Sequence, residues 1–203
     1  VELMTNFFIP LPQLLMFLIP DFFGNPATAN YWGKINYFEF NGYIGIVALI
    51  FVLYLLFAKR LKKEGWFWLL VVVFSLFLAI ENPISALPYS LKIPFLSAFI
   101  PARLLFFITF ALSILTVMGY DDLVKKITAN KTREVLRPLL MALGVLASLI
   151  FISIATIFLL KIFGRDLRTE SIILRNLILP AGYLLLAGIV LIASLFFSHR
   201  KAP

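Results

Sequence analysis

The sequence predicts an all-α protein: a polytopic transmembrane helical bundle of about five membrane-spanning helices, with an extracytoplasmic interfacial loop or short helix ahead of it. Three observations lead there. Hydrophobic residues make up 62% of the 203 positions and charged residues only 14%, whereas soluble domains run at roughly 45–50% and 25%. The apolar residues fall in long unbroken runs, more than one compact core can hide. The basic residues gather between those runs instead of covering a surface. A soluble enzyme is excluded, and charge is too scarce for disorder. The formal charge of +8 invites a nucleic-acid reading, but its distribution supports no nucleic-acid partner. With no cysteine and a single histidine, His199, a disulfide framework, a thiolate or multi-histidine metal site and a Ser-His triad are disfavoured. Val1 is not an initiator residue, and no charged segment leads into an apolar core and cleavage site. We therefore expect a piece of a longer membrane protein, divided into an outer segment 1–41 and a membrane domain 42–203.

Each span follows from the need for about 20 apolar residues to cross about 30 Å of hydrocarbon. They are expected over 42–58, 66–80, 102–120, 138–160 and 177–197. Pro138 suits a first helical turn, where its missing N–H is harmless, and Pro180 falls near the start of the fifth span. The earlier apolar stretch Leu3 to Ile19 carries Pro10 and Pro12 in its middle, which would bend a helix sharply. There we expect a short helix from Leu11 to Leu18, lying at the interface or re-entering the membrane and closed by Pro20. The alternative is the tail of a kinked span.

Lys59, Arg60, Lys62, Lys63, Lys125, Lys126, Lys131, Arg133, Arg137, Arg200 and Lys201 fall on one side of this topology, eleven of the 18 basic residues. By the positive-inside rule, loops 59–65, 121–137 and the C-terminus are cytoplasmic. The segment 1–41 and loops 81–101 and 161–175 are then extracytoplasmic, in a plasma membrane. The run 121–137 reads as a short amphipathic surface helix.

The outer side carries the candidate chemistry. Residues 20–43, PDFFGNPATANYWGKINYFEFNGY, interleave turn formers with aromatics. Asn25, Tyr31, Trp32, Glu39 and Tyr43 offer faces to stack on sugar rings and groups to bond hydroxyls, or else anchor an interfacial loop. Glu81 follows the second span, at the unfavourable end of the helix dipole for a carboxylate, and so calls for a partner. Arg103 opens the third span. A guanidinium at membrane depth is usually paired, and its fork fits phosphate beside a helix N-terminus. Arg165, Arg168 and Arg175 are further cations for lipid phosphates. No phosphate loop, nucleophile elbow or zinc-protease motif is present, and the spans lack the carboxylates of an ion pathway.

These residues resemble a known family. Pro20, Phe22 or Phe23, Gly24, Asn25 and Pro26, then Tyr31-Trp32-Gly33, Glu39, and Tyr43 with Gly45, are similar to the outer loop and following span of bacterial YfhO-like membrane proteins. Pro101, Arg103, Gly119, Asp121 or Asp122, and Leu123 resemble that family's second half, although its exit usually reads closer to A-G-x-G than VMGY. The likeness covers about residues 8–125. The family is similar to polytopic glycosyltransferases of the GT-C class. The resemblance implies transfer of a sugar from a polyprenyl-phosphate carrier, the lipid-linked sugar donor, to a cell-envelope polymer acceptor such as lipoteichoic acid. It places Arg103, with Arg165 or Arg168, on the lipid phosphate, and Asn25, Tyr31, Trp32, Glu39, Tyr43 and Glu81 around sugar or acceptor. The catalytic Asp is expected upstream of residue 1, since Asp21 sits in a later element. No cofactor or metal site is expected within these residues, whether a divalent metal assists is left open, and membrane lipids are the other partners. A transporter or flippase module for lipid-linked precursors, and a non-catalytic scaffold, are the competing readings.

Overall fold

The computed structural model describes residues 7–34, 37–162 and 167–199, with side chains described up to 156 and over 170–196. Every regular element among the described residues is helical. A 3₁₀ helix, Leu11–Phe17, and a 3₁₀ turn, Pro26–Thr28, precede α1 (Tyr37–Phe40), α2 (Ile46–Phe57), α3 (Lys63–Ala79) and α4 (Pro83–Ser90). Two further 3₁₀ turns, Leu96–Ala98 and Pro101–Leu104, lead into α5 (Leu105–Thr128), α6 (Thr132–Ile162) and α7 (Leu167–His199).

Among the described residues three helices are long and apolar enough to cross a membrane: Pro101–Thr128, Thr132–Thr156 and Glu170–Phe196. The chain is accordingly an all-α, membrane-embedded protein, but with three such helices where five were expected. The expected span 42–58 becomes the 12-residue α2, and 66–80 the 17-residue α3. At 1.5 Å per residue these reach about 18 and about 26 Å, short of a hydrocarbon core of about 30 Å. Gly45, with φ of 99°, starts α2 in a conformation open to glycine and strained for other residues.

Helix α2 is short because it is interior. It packs against α5, α6 and α7, and Ile46, Ile50, Phe51, Val52, Tyr54 and Leu55 are buried. Beyond its N-terminus the core is completed by the preceding irregular chain, whose Phe8, Ile9, Met16, Ile19, Phe22, Phe23 and Phe40 are buried. The short helix expected over Leu11–Leu18 is a 3₁₀ helix, Leu11–Phe17, with Gln13 and Met16 buried in protein. Pro10 is its N-cap and Pro12 lies in its first turn, where no helical N–H is needed, so neither proline bends it. Residues 7–9 wedge between two neighbours: Ile9 N–H donates to the Ala79 carbonyl at 2.9 Å and Ala102 N–H to the Phe7 carbonyl at 3.2 Å. Nonhelical backbone among apolar helices is tolerated where its polar groups are paired with protein in this way.

Helices α2 and α5 run parallel in a three-residue register. Thr116 Oγ1 donates to the Ala48 carbonyl at 3.4 Å, Gly119 lies on Phe51, and Tyr54 donates to Asp122 at 2.8 Å. A Cβ on Gly119 would stand 2.2 Å from the Phe51 carbonyl oxygen, so glycine permits the approach. Arg60 Nη2 then meets Glu134 at 2.5 Å, Lys126 Nζ meets Glu134 at 2.7 Å, and Arg60 Nη1 stands 3.9 Å from Asp122. These pairs gather the α2–α3 turn, the end of α5 and the start of α6 at one basic end. The same end takes the C-terminal turns of α7, since Leu195 and Phe196 share a hollow with Thr132 and Arg133. Residues 59–65, 121–137 and the C-terminal turns therefore share an end, as the charge bias requires.

The expected surface helix over 121–137 does not exist as a separate element. Helix α5 runs on to Thr128 and α6 begins at Thr132, because the mixed charges pair across the turn as well as facing solvent. Pro138 therefore sits in the second turn of α6, and Pro180 well inside α7. The expected loop 161–175 is helical on both flanks, through Ile162 and from Leu167.

Gly119→Val should destabilise the purified protein by about 1–3 kcal/mol, the usual cost of overpacking. Thermal unfolding in a mild detergent measures it. A transition unchanged from wild type would refute the close α2–α5 contact.

Candidate functional site

The end opposite the basic cluster gathers most of the polar side chains singled out in the sequence. Asp21 is the hub. Its Oδ1 accepts from the Tyr37 hydroxyl and from Asn25 Nδ2 at 3.1 Å, while its backbone carbonyl accepts from Asn176 Nδ2 of α7 at 2.6 Å. One residue thereby ties the loop, α1 and α7 together. Asn25 is committed to the loop: its Oδ1 accepts from Ala27 N–H at 2.8 Å and caps the Pro26–Thr28 turn. Tyr31 accepts from Gln13 Nε2 at 2.8 Å, donates to the Lys34 carbonyl at 2.5 Å, and packs edge-on to Tyr37. Trp32 packs edge-on to Phe23, with centroids 4.7 Å apart, and keeps part of its surface exposed. The Tyr43 hydroxyl accepts from Ile46 N–H at 3.2 Å, supplying a partner for one orphan donor at the start of α2.

Arg103 and Glu39, far apart in sequence, meet here. Arg103 Nε stands 3.7 Å from Glu39 Oε1, with the arginine side chain 62% exposed. An exposed pair this long is worth about 0–1 kcal/mol, so the guanidinium is free to exchange partners. Glu39 Oε2 is buried with no hydrogen-bond partner among the described residues, as is Oε1 of the deeply buried Gln13. An unmet buried acceptor costs about 1–3 kcal/mol, and Glu39 therefore has capacity for a further donor.

Beside Asp21 lies a cavity of about 320 Å³, at the low end of the roughly 300–1,000 Å³ of small-molecule sites. Its polar lining is Asp21, Tyr43, Arg175, Asn176 and Tyr183, with Pro20 and Pro180 on its walls. Pro180 cannot donate to the carbonyl of residue 176, which leaves α7 short of a ladder bond at the cavity wall. Asp21 Oδ2 has no hydrogen-bond partner among the described residues. Asn176 and Tyr183 escaped sequence reasoning because both sit in an apolar run whose facing residues only the fold supplies. The signal available was their position one helical turn either side of Pro180.

Other candidates stand apart. Glu81 is exposed at the end of α3, and among the described residues no hydrogen bond or ion pair holds it. Its neighbour Asn82 is the organising residue. It accepts from Ile84 and Ser85 N–H at 3.0 Å each and donates to the Phe77 carbonyl at 2.7 Å, closing α3 and capping α4. Arg165 lies outside the described residues, as does the side chain of Arg168 in the first turn of α7. Among the described residues no cluster of His, Cys, Asp and Glu could hold a metal ion.

Compared with protein-family models, curated proteins and solved structures, the chain matches none of them. The class the fold defines is a helical membrane-embedded protein with a polar cluster at one end.

Burial, and then the neighbouring Asp21 carboxylate, push the Tyr37 hydroxyl up to about 12. The fold favours the protonated phenol, which donates to Asp21. The resulting stability is fully present below the ordinary tyrosine value of 10.0 and lost as pH rises from there through the raised value. Thermal unfolding followed over that alkaline range should show a steeper loss in wild type than in Tyr37→Phe. Parallel curves would refute the assignment.

Proposed function

We propose that the Asp21–Arg103 end binds a lipid-linked, phosphate-bearing sugar, as part of a GT-C-type glycosyltransferase similar to the YfhO-like proteins. The carrying observation is the Arg103–Glu39 pair: an exposed guanidinium held loosely by a carboxylate whose second oxygen is buried without a donor. A phosphate is the natural exchange partner for that guanidinium, and a sugar hydroxyl the natural donor for Glu39. The cavity beside Asp21 adds a carboxylate, an amide, two phenols and the Arg175 guanidinium, a set suited to hydroxyls and phosphate. The exposed apolar face of α7, with Ile178 and Leu179, would take the prenyl chain.

In this reading the end is extracytoplasmic, the basic end is cytoplasmic, and the membrane is a bacterial plasma membrane with a cell-envelope polymer as acceptor. Helices α2 and α3 complete the five-element membrane domain with buried or partly covered helices. Arg103 and Arg175 stabilise the leaving phosphate, and Glu39, Asp21 and Tyr43 orient hydroxyls. The general base that takes the acceptor proton comes from chain outside these residues.

Sugar transfer by the whole protein from a polyprenyl-phosphate donor tests this. Arg103→Ala with Glu39→Gln should lower turnover at least tenfold while the unfolding temperature stays near wild type, because the pair contributes little stability. Transfer near wild type would remove both residues from the site.

A further inference from the structure

A second site lies at the basic end, on a face the sugar reading does not use. Arg133 and Arg137 stand one turn apart on α6, both exposed, and among the described residues neither has an ion-pair partner. The nearby acid, Glu134, is taken by Arg60 and Lys126. Below the two guanidiniums the surface is hollow. One hollow, between Thr132–Leu136 and Leu195–Phe196, is about 170 Å³, and another, under Arg133, Arg137 and Leu140, about 410 Å³. They share Leu136, and Leu140 leads on to a third of about 390 Å³ in the α6–α7 seam. That third hollow is almost wholly apolar and opens at Gly144 and Gly188. A side chain on Gly144 would meet nothing within 4 Å. From Arg133 to Ala147 the groove follows α6 for about 21 Å, longer than the roughly 15 Å of one leaflet's hydrocarbon.

We infer that this groove is a binding site for one anionic phospholipid. The phosphate sits between Arg133 and Arg137, whose forks match phosphate oxygens. An acyl chain runs past Leu136 and Leu140 to the open space at Gly144. Charge complementarity decides the occupant. A purely apolar partner would leave two unpaired guanidiniums at its edge, and a soluble anion would leave the groove unfilled. The basic residues of this end thus do more than orient the chain: two of them select a headgroup.

The test uses the purified protein in neutral detergent, titrated separately with phosphatidylglycerol, phosphatidylcholine and inorganic phosphate. Thermal unfolding and native mass spectrometry are the readouts. Phosphatidylglycerol should raise the unfolding temperature, and remain bound, at concentrations where the other two do neither. Arg133→Gln with Arg137→Gln should weaken phosphatidylglycerol binding about tenfold, the loss of a charge-assisted contact. Gly144→Leu, which keeps both arginines and fills open space, should weaken it as well. Equal effects of the two lipids, or both variants binding as wild type, would overturn the site. So would inorganic phosphate reproducing the shift. Dimerisation abolished by Gly144→Leu without any lipid selectivity would assign the groove to a second copy of the chain instead.

Discussion

Backbone N–H and C=O groups find no water inside a hydrocarbon layer, so a helix that cannot cross it must be covered by protein. Helix α2 meets that condition and organises the rest. Its 12 residues carry a side-chain set apolar on all sides, which a buried helix tolerates. α5, α6 and α7 pack around it, and the described chain ahead of it, residues 7–34 and 37–45, completes the core beyond its N-terminus. That chain brings Phe8, Ile9, Met16 and Ile19 into the core and carries its own polar groups inward. Its half-buried polar groups are paired within it: Asn25 and Tyr37 donate to Asp21, and Tyr31 bonds Gln13 and the Lys34 carbonyl.

The two ends of the bundle resolve charge differently. At the basic end, acids and bases from three elements interlock, Tyr54 and Arg60 reaching Asp122, and Arg60 and Lys126 reaching Glu134. That network absorbs Glu134, and among the described residues Arg133 and Arg137 on the same helix have no acidic partner. At the opposite end the one long-range ion pair among the described residues is loose, and its carboxylate keeps an unmet oxygen. A network that is internally satisfied holds structure. A pair that is incompletely satisfied keeps an acceptor able to take a further hydrogen bond.

Much of this was legible in the residues, element by element. The 3.6-residue runs that form α5, α6 and α7 could be read from length and apolarity, and the pairing of charged turns from the Lys/Arg bias. Arg103 and Glu39 were singled out for different reasons, the cost of a guanidinium at membrane depth and a carboxylate among loop aromatics. Neither reason required that they meet. The misreadings share one cause. Apolarity looks the same whether a segment faces lipid or protein, so 42–58 read as a span although it forms a 12-residue helix packed against three others. Charge looks the same whether solvated or paired, so 121–137 read as a surface helix instead of two helix ends clasped together.

By itself the sequence determined that the chain is helical and membrane-embedded, because hydrocarbon solubility and backbone hydrogen bonding act on every residue locally. Only the tertiary structure decided that α2 is an interior helix and that Gly119 lets α5 lie against it. It alone brought Asp21 to Asn176 across most of the chain, and joined Arg103 to Glu39. Those outcomes depend on which apolar face finds which partner, and that is set by shape and by the need to satisfy each buried polar group, neither of which is encoded in a run of neighbouring residues.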